Sequence, residues 1–332
     1  MGNKKIKFNL NTDMQIHREI DDKISMGNFI ELHEDFIADK ELEGLAERTL
    51  DDYIINLNYF RNYVEENIRS DLNRVAVDVN IFKNYIYFML QEKEYSPFTI
   101  NIRLRTLKCY LRWLHQNNHI NENINIKLKL VKTPQDTIKP LTDAEVKKLL
   151  NACDLSVYAG FRDFSAMLLI LDCGIRVGEM VQLKINDVDL KQGLINVRAE
   201  VSKTRVSRQL PISPKTCKLL KELVNCAIEN KSDFLFQSTY GGQIKKQNLI
   251  LSFRRLGEKV GLKKRCTPYI FRHTFATNAV KAGVMELFTL QRIMGHSSLA
   301  TTRKYVQLET EDLKKKHRKA SPIDRFFEGG NK

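Results

Sequence analysis

The chain has no C-x-x-C pair. Its cysteines, Cys109, Cys153, Cys173, Cys217, Cys226 and Cys266, are scattered, which excludes a zinc ribbon or a dithiol redox motif and gives no disulfide framework. They read as buried apolar thiols of a reducing compartment. Long apolar runs are absent too: the longest, Ala166 to Leu171, is far short of the roughly 20 residues that cross a bilayer. The N-terminal Met-Gly-Asn-Lys-Lys-Ile-Lys leads into no apolar segment, so a secretory leader is not expected and a cytoplasmic location is. Gly241-Gly242 is a turn, because no G-x-x-x-x-G-K-[ST] phosphate loop follows it. Proline is sparse and low-complexity tracts are missing, which leaves an ordinary globular composition long enough for two cores. Acid is also in deficit: 40 Asp and Glu stand against 54 Lys and Arg, a net charge of +14. That excess predicts attraction to a polyanion, and nucleic acid is the commonest large one.

In chain order, residues 1–26 are polar and form an N-terminal extension with at most one short helix, Met14 to Ile24. Helical periodicity starts at Phe29, with Ile30, Phe36 and Ile37 on one face. A second helix opens at Ala46 or Thr49 and carries Leu50, Tyr53, Ile54, Leu57, Phe60 and Val64. A third spans Val79 to Glu92. The fourth starts at Ser96-Pro97 and carries Ile100, Leu104, Leu107, Leu111 and Leu114. These four define a helical domain over residues 27–120. The fourth helix also bears Arg103, Arg105, Lys108 and Arg112, read as candidate phosphate contacts, with an ordinary solvated face equally open. His115 and His119 have the four-residue spacing of a metal pair, but no third ligand is near and helix-end histidines are the better reading.

Residues 121–140, rich in Asn, Lys and Thr, read as a linker. A second domain, 141–310, opens on the helix cap Leu141-Thr142-Asp143-Ala144-Glu145. It continues through a buried helix, Phe164 to Asp172, that stops at Cys173-Gly174. Arg176 then starts another helix, where an anion would meet its guanidinium and free backbone N–H groups. Asp187–Leu190, Leu194–Val197 and Gln209–Ile212 read as three short strands, two of them bracketing a hairpin tip that aims Lys203 outward. Helices resume at Pro214–Ile228, Gln247–Val260, Tyr269–Ala282, Met285–Met294 and Ala300–Leu308. The tail, 311–332, holds the basic run Lys314–Lys319 and an apolar segment, Pro322 to Phe327, that suits docking on a neighbouring subunit. The fold class is therefore mainly α (α+β), with a small three-stranded antiparallel sheet in the second domain.

Arg176, Lys203, Arg272, His296 and Tyr305 each fall at an element end or a hairpin tip. Two arginines can clamp the oxygens of a phosphodiester. A lysine can protonate a departing oxygen, and a histidine can orient the phosphate or relay a proton. A tyrosine can attack phosphorus and conserve the bond as a phosphotyrosine ester. This chemistry needs no metal or cofactor, in keeping with the lack of a carboxylate cluster.

These residues, in this order, closely resemble the tyrosine recombinase family of phage integrases and Xer-like enzymes. Gly174-Ile175-Arg176-Val177-Gly178-Glu179 looks like its first arginine box, Lys203 like its β-hairpin lysine, and Phe271-Arg272-His273-Thr274 like its second arginine box. Met294-Gly295-His296-Ser297-Ser298 and Tyr305, nine residues after His296, look like its last histidine and nucleophile. The resemblance implies a core-binding domain over 27–120, a catalytic domain over 141–310, and a C-shaped clamp on double-stranded DNA. It also implies a homotetramer on paired sites, an accessory DNA-bending or directionality protein, and strand exchange through a 3′-phosphotyrosyl link. The family's second box is H-x-x-R-H, and here Tyr269 replaces the first histidine. Either Tyr269 bonds the phosphate and leaves Lys203 as the main general acid, or the site is slowed. His273 is expected to support the local helix start. Integration or excision of a mobile element is the leading role. An Xer-like dimer resolvase, a DNA-binding regulator without strand exchange and a topoisomerase of similar chemistry stay open.

Overall fold

A computed structural model describes residues 24–68, 70–134, 139–202, 204–282, 285–303 and 305. The chain divides into two compact units, Met1–Asp136 and Thr137–Lys332. Among the described residues, no helix is long and apolar enough to cross a membrane.

Among the described residues, the first unit is built of helices: α1 (Met26–Glu31), α2 (His33–Leu42), α3 (Glu47–Asn67), α4 (Val79–Tyr87), α5 (Pro97–Gln116) and α6 (Ile124–Lys127). A π-helical turn, Phe88–Glu92, extends α4. The helix α5 starts where its sequence says it should. The Ser96 side chain accepts the Thr99 N–H, and Pro97 fills the first turn, where no N–H is needed. Its Ile100, Leu104, Leu107, Leu111 and Leu114 are fully buried, each worth roughly 1.5–3 kcal/mol relative to exposure. They meet an aromatic cluster in which Phe29, Phe36, Phe60, Phe82 and Tyr110 are also buried. Tyr110 satisfies its hydroxyl there by donating to the Phe29 carbonyl at 2.6 Å.

Two expectations change here. The first expected helix is two, α1 and α2, because the chain bends at Leu32, which is the C-cap of one and the N-cap of the next. The expected linker also belongs in large part to the first unit. Ile120, Ile124 and Leu128 repeat every four residues and are buried in its core. Asn101 pins the same segment, donating to the Val131 carbonyl at 2.8 Å and accepting the Val131 N–H at 2.9 Å.

In the second unit, α7 (Asp143–Asn151) carries the anticipated capping box, with Thr142 and Glu145 exchanging hydrogen bonds. The central helix α8 (Tyr158–Cys173) buries Ala166, Met167, Leu169 and Ile170 completely. It ends at Gly174, whose φ of +63° is the left-handed cap that glycine adopts without penalty. The short α9 (Val177–Met180) follows at once. The sheet is antiparallel in the order β1 (Val188–Asp189), β2 (Leu194–Val197), β3 (Arg208–Pro211). Ile195 and Val197 on β2 and Leu210 on β3 face the core. Then come α10 (Pro214–Glu229), α11 (Lys246–Lys259), α12 (Pro268–Lys281), α13 (Leu287–Met294) and α14 (Leu299–Arg303). The helices α10, α11 and α12 pack on α8.

Candidate active site

The C-terminus of α13 organises the site. A helix leaves its last carbonyls without intrahelical partners and carries partial negative charge there. Here three successive carbonyls each take a different guanidinium. Ile293 accepts from Arg208 Nε at 2.9 Å, Met294 from Arg272 Nη2 at 2.6 Å, and Gly295 from Arg176 Nη2 at 2.6 Å. The chain can turn away after them because Gly295 sits at φ +60°. A Cβ on Gly295 would lie 3.0 Å from Arg176 Nη1 and 3.0 Å from Arg208 Cζ, so any side chain there would press on both guanidiniums.

Arg176 is the N-cap of α9. The free N–H groups expected there for an anion are partly claimed already, because Glu179 accepts the Arg176 backbone N–H at 3.1 Å. The Glu179 carboxylate also binds Arg176 Nη1 at 3.0 Å and Arg208 at 3.1 and 2.6 Å. Burial pushes the Glu179 carboxyl up, but the Arg208 hydrogen bonds and the charges of Arg208 and Arg176 outweigh it and hold the group below the ordinary glutamate value. Two of the three guanidiniums therefore share one carboxylate, the third has none, and the excess charge is positive.

Arg272, on α12, is the most deeply placed of the expected residues, at 6% exposed. It donates to the Gly174 carbonyl as well as to Met294. Burial, then the neighbouring Arg176, lowers its pKa to about 10, so it remains a cation near neutrality. Its Nη2 also lies 3.2 Å from Nε2 of His296. The other ring nitrogen of His296, Nδ1, is 2.9 Å from the Thr302 hydroxyl.

Tyr305 follows α14, whose start is secured by Ser298 accepting the Ala300 N–H at 3.2 Å. The phenol ring lies parallel to His296, with centroids 6.3 Å apart and a 10° interplanar angle. Its pKa is raised above 10, first by burial and then by Tyr269, against the opposing pull of Arg272 and Arg176. The resting group is therefore a phenol. His273 lies within α12 with its ring 5.2 Å from Tyr305, so it borders the site. Tyr269, one turn earlier, is 56% exposed and stacks at 6.5 Å on His273.

The structure thus brings Arg176, Arg272, His296 and Tyr305 together. Lys203 and the tail with Pro322 to Phe327 lie outside the described residues. Sequence reasoning gave no role to Arg208, Glu179 or Thr302. Arg208 had a signal: it alternates with Leu210 on β3 and so shares the inward face.

The expected cations of α5 separate. Arg105 and Arg112 are exposed. Arg103 is 8% exposed, its guanidinium 3.6 Å from the Tyr59 ring centroid and 4.5 Å from that of Tyr95. Lys108 donates to the carbonyls of Asn125 and Leu128, the orphan acceptors at the end of α6. Arg103 and Lys108 thus have partners within the first unit, whereas Arg105 and Arg112 stand exposed. His119 stacks on Trp113 at 5.3 Å.

Residues 139–312 match the model of the Phage integrase family, and residues 28–128 match that of the Phage integrase SAM-like domain. Tyrosine recombinase XerC of Chlamydia caviae is 26% identical over 303 residues, covering 85% of this chain and 96% of the relative. The fold is similar to that of the Tn1549 transposon integrase in complex with transposon right end DNA, at TM-score 0.72 and 22% identity, covering 88% of this chain and 99% of that one. It is also similar to a lambda integrase dimer bound to a core site, at TM-score 0.68 and 19% identity over 85% of this chain and 95% of that one.

Proposed function

The chain belongs to the phage integrase family, and from that premise we propose that it breaks and rejoins double-stranded DNA at specific sites, with Tyr305 as nucleophile. The observation that carries the reading is the trio of guanidiniums on the last turn of α13, beside His296 and Tyr305. A phosphodiester placed there meets an excess of fixed positive charge without any reorganisation of the protein. Arg176 and Arg272 neutralise its non-bridging oxygens, each through N–H groups that the carbonyl anchors leave over. His296 donates a hydrogen bond from Nε2 to a phosphate oxygen. The Tyr305 oxygen attacks phosphorus as its phenolic proton passes to solvent, and the bond to the 5′-oxygen breaks. The products are a 3′-phosphotyrosyl link and a 5′-hydroxyl, which takes its proton from Lys203. Attack by the 5′-hydroxyl of a second duplex reverses the step and exchanges strands. Exposed Tyr269 is a hydrogen-bond donor to the same phosphate, which leaves the acid role to Lys203.

The first unit supplies further DNA contact, with Arg105 and Arg112 its cations. The working assembly is a homotetramer on paired sites, assisted by an accessory protein that bends DNA or sets direction. The role is integration and excision of a mobile element. Similarity to XerC favours chromosome-dimer resolution as the second reading.

Covalent adducts captured from cells that hold the protein with its native flanking DNA test both levels. Adducts are expected at one sequence, 3′-linked, and absent from Tyr305→Phe; an adduct from that variant sinks the assignment. Attached DNA from the two ends of one element supports mobilisation, whereas a single chromosomal locus supports resolution. Specific binding without any adduct would leave a regulator.

A further inference from the structure

Both nitrogens of His296 are engaged. Nε2 lies 3.2 Å from Arg272 Nη2, and Nδ1 lies 2.9 Å from Thr302 Oγ1. An arginine only donates. In the neutral ring, Nε2 is therefore the acceptor, and the ring proton sits on Nδ1 and is donated to Thr302. The proposed reaction needs the opposite arrangement, because Nε2 can meet a phosphate oxygen only with a proton on it. Nδ1 must then be bare, and its partner must become a donor.

Thr302 can meet both demands. A hydroxyl donates and accepts, and its rotation costs little, whereas a carboxylate or a backbone carbonyl would hold the Nδ1–H form. Thr302 is fully buried, so nothing from solvent easily takes its place. Its own carbonyl accepts the Tyr305 N–H at 3.1 Å. One residue thus fixes the imidazole through its side chain and the nucleophile's turn through its backbone.

We propose that Thr302 is a positioning residue whose hydroxyl lets His296 exchange tautomers, accepting from Nδ1–H in the DNA-free site and donating to bare Nδ1 when Nε2–H faces a phosphate. In the exchange one proton leaves Nδ1 for solvent and one arrives from solvent on Nε2, so the ring stays neutral and no bond between heavy atoms changes. The inference rests on the reading of His296 as a phosphate contact.

Full-length protein labelled with ¹⁵N-histidine gives the test. Long-range ¹H–¹⁵N spectra distinguish the two tautomers, and His296→Gln assigns the signal. The DNA-free protein is expected to show the Nδ1–H form. Tyr305→Phe mixed with the duplex recovered by adduct capture is expected to show the Nε2–H form. Thr302→Val, which keeps shape and removes the hydroxyl, should lose the Nε2–H form on the duplex, where bare Nδ1 then lacks a donor, and slow adduct formation on the order of 10-fold. Thr302→Ala, which cannot overpack, should repeat both losses, and Thr302→Ser should restore both. An Nε2–H ring in the DNA-free protein, or Thr302→Val and Thr302→Ala variants with wild-type spectra, overturns the proposal. Because the DNA-free spectra need no cleavage, absence of adducts from the wild type would count against the recombinase reading alone.

Discussion

Arg103 in the helical first unit and Arg272 in the second are buried to nearly the same degree, at 8% and 6% exposed, and their charges meet different surroundings. Arg103 lies against the faces of Tyr59 and Tyr95, whose quadrupoles attract a cation. Its charge is satisfied where it stands. Arg272 has two backbone carbonyls, a shared histidine nitrogen and other arginines as neighbours. Burial and the Arg176 charge act on it in the same unfavourable direction, which is why its pKa falls to about 10. A buried cation whose surroundings supply dipoles and no direct carboxylate is a site waiting for an anion. The same residue type at the same depth fastens a fold in one unit and prepares a binding site in the other.

The largest expected effect concerns the one carboxylate that tempers this charge. Arg208→Met removes both hydrogen bonds that Arg208 makes to Glu179 and leaves a buried carboxylate with Arg176 as its remaining bonded cation. A loss of about 3–5 kcal/mol in urea unfolding is expected, as for other buried pairs broken from one side. The pH dependence follows from the direction of the Glu179 shift. Its folded value lies below the unfolded one, so the stability it contributes is present above the ordinary glutamate range and is lost as pH falls through the folded value. Glu179→Gln should therefore be less stable than wild type at neutral pH, and the gap should close in acid. A gap that widens in acid would mean that Glu179 is strained rather than satisfied.

Next in size are the two arginines themselves. Arg272→Ala is expected to slow adduct formation by roughly 10²–10³. Its effect on unfolding should be small, because the substitution also removes a repulsive charge. Arg103→Ala should do the reverse, with adduct formation retained and stability lowered by about 1–2 kcal/mol through lost stacking and packing. Unfolding curves and single-turnover adduct rates on the same preparations check the pair. If Arg103→Ala abolishes adducts while the fold survives, the contrast between the units fails.

Much of this contrast was within reach of the sequence. The helical period gives the core face of α5 and most of that of α3, where Ile54 stays exposed, and the boxes around Arg176 and His296 fall on element ends, with Arg272 one turn into α12. For Arg103, position in the helix says more than charge. It shares a stripe with Leu107, Tyr110 and Leu114, spaced by four, three and four residues, all of them fully buried. Arg208 could have been found in the same way from its alternation with Leu210. The triple anchoring on α13 could not. It depends on three carbonyls meeting side chains from α9, β3 and α12, distant in sequence, and no local pattern encodes that meeting. The bonds from Lys108 to the end of α6 are equally tertiary.

The smallest expected effect separates the cations of α5 by what they do in salt. A side chain that neutralises a phosphate releases counterions, and each such contact steepens the fall of affinity with salt by about one unit of logarithmic slope. Arg105 and Arg112 are exposed, so Arg105→Ala and Arg112→Ala should each lower that slope by about one and weaken binding alike on specific and unrelated duplexes. Arg103→Ala and Lys108→Ala should leave the slope unchanged, because their donors are already spent on tyrosine rings and on the carbonyls of Asn125 and Leu128. Binding isotherms at a series of salt concentrations on the Tyr305→Phe background keep cleavage out of the measurement. A lower slope for Arg103→Ala would mean that its stack opens on DNA and that the first unit, like the second, holds a cation in reserve.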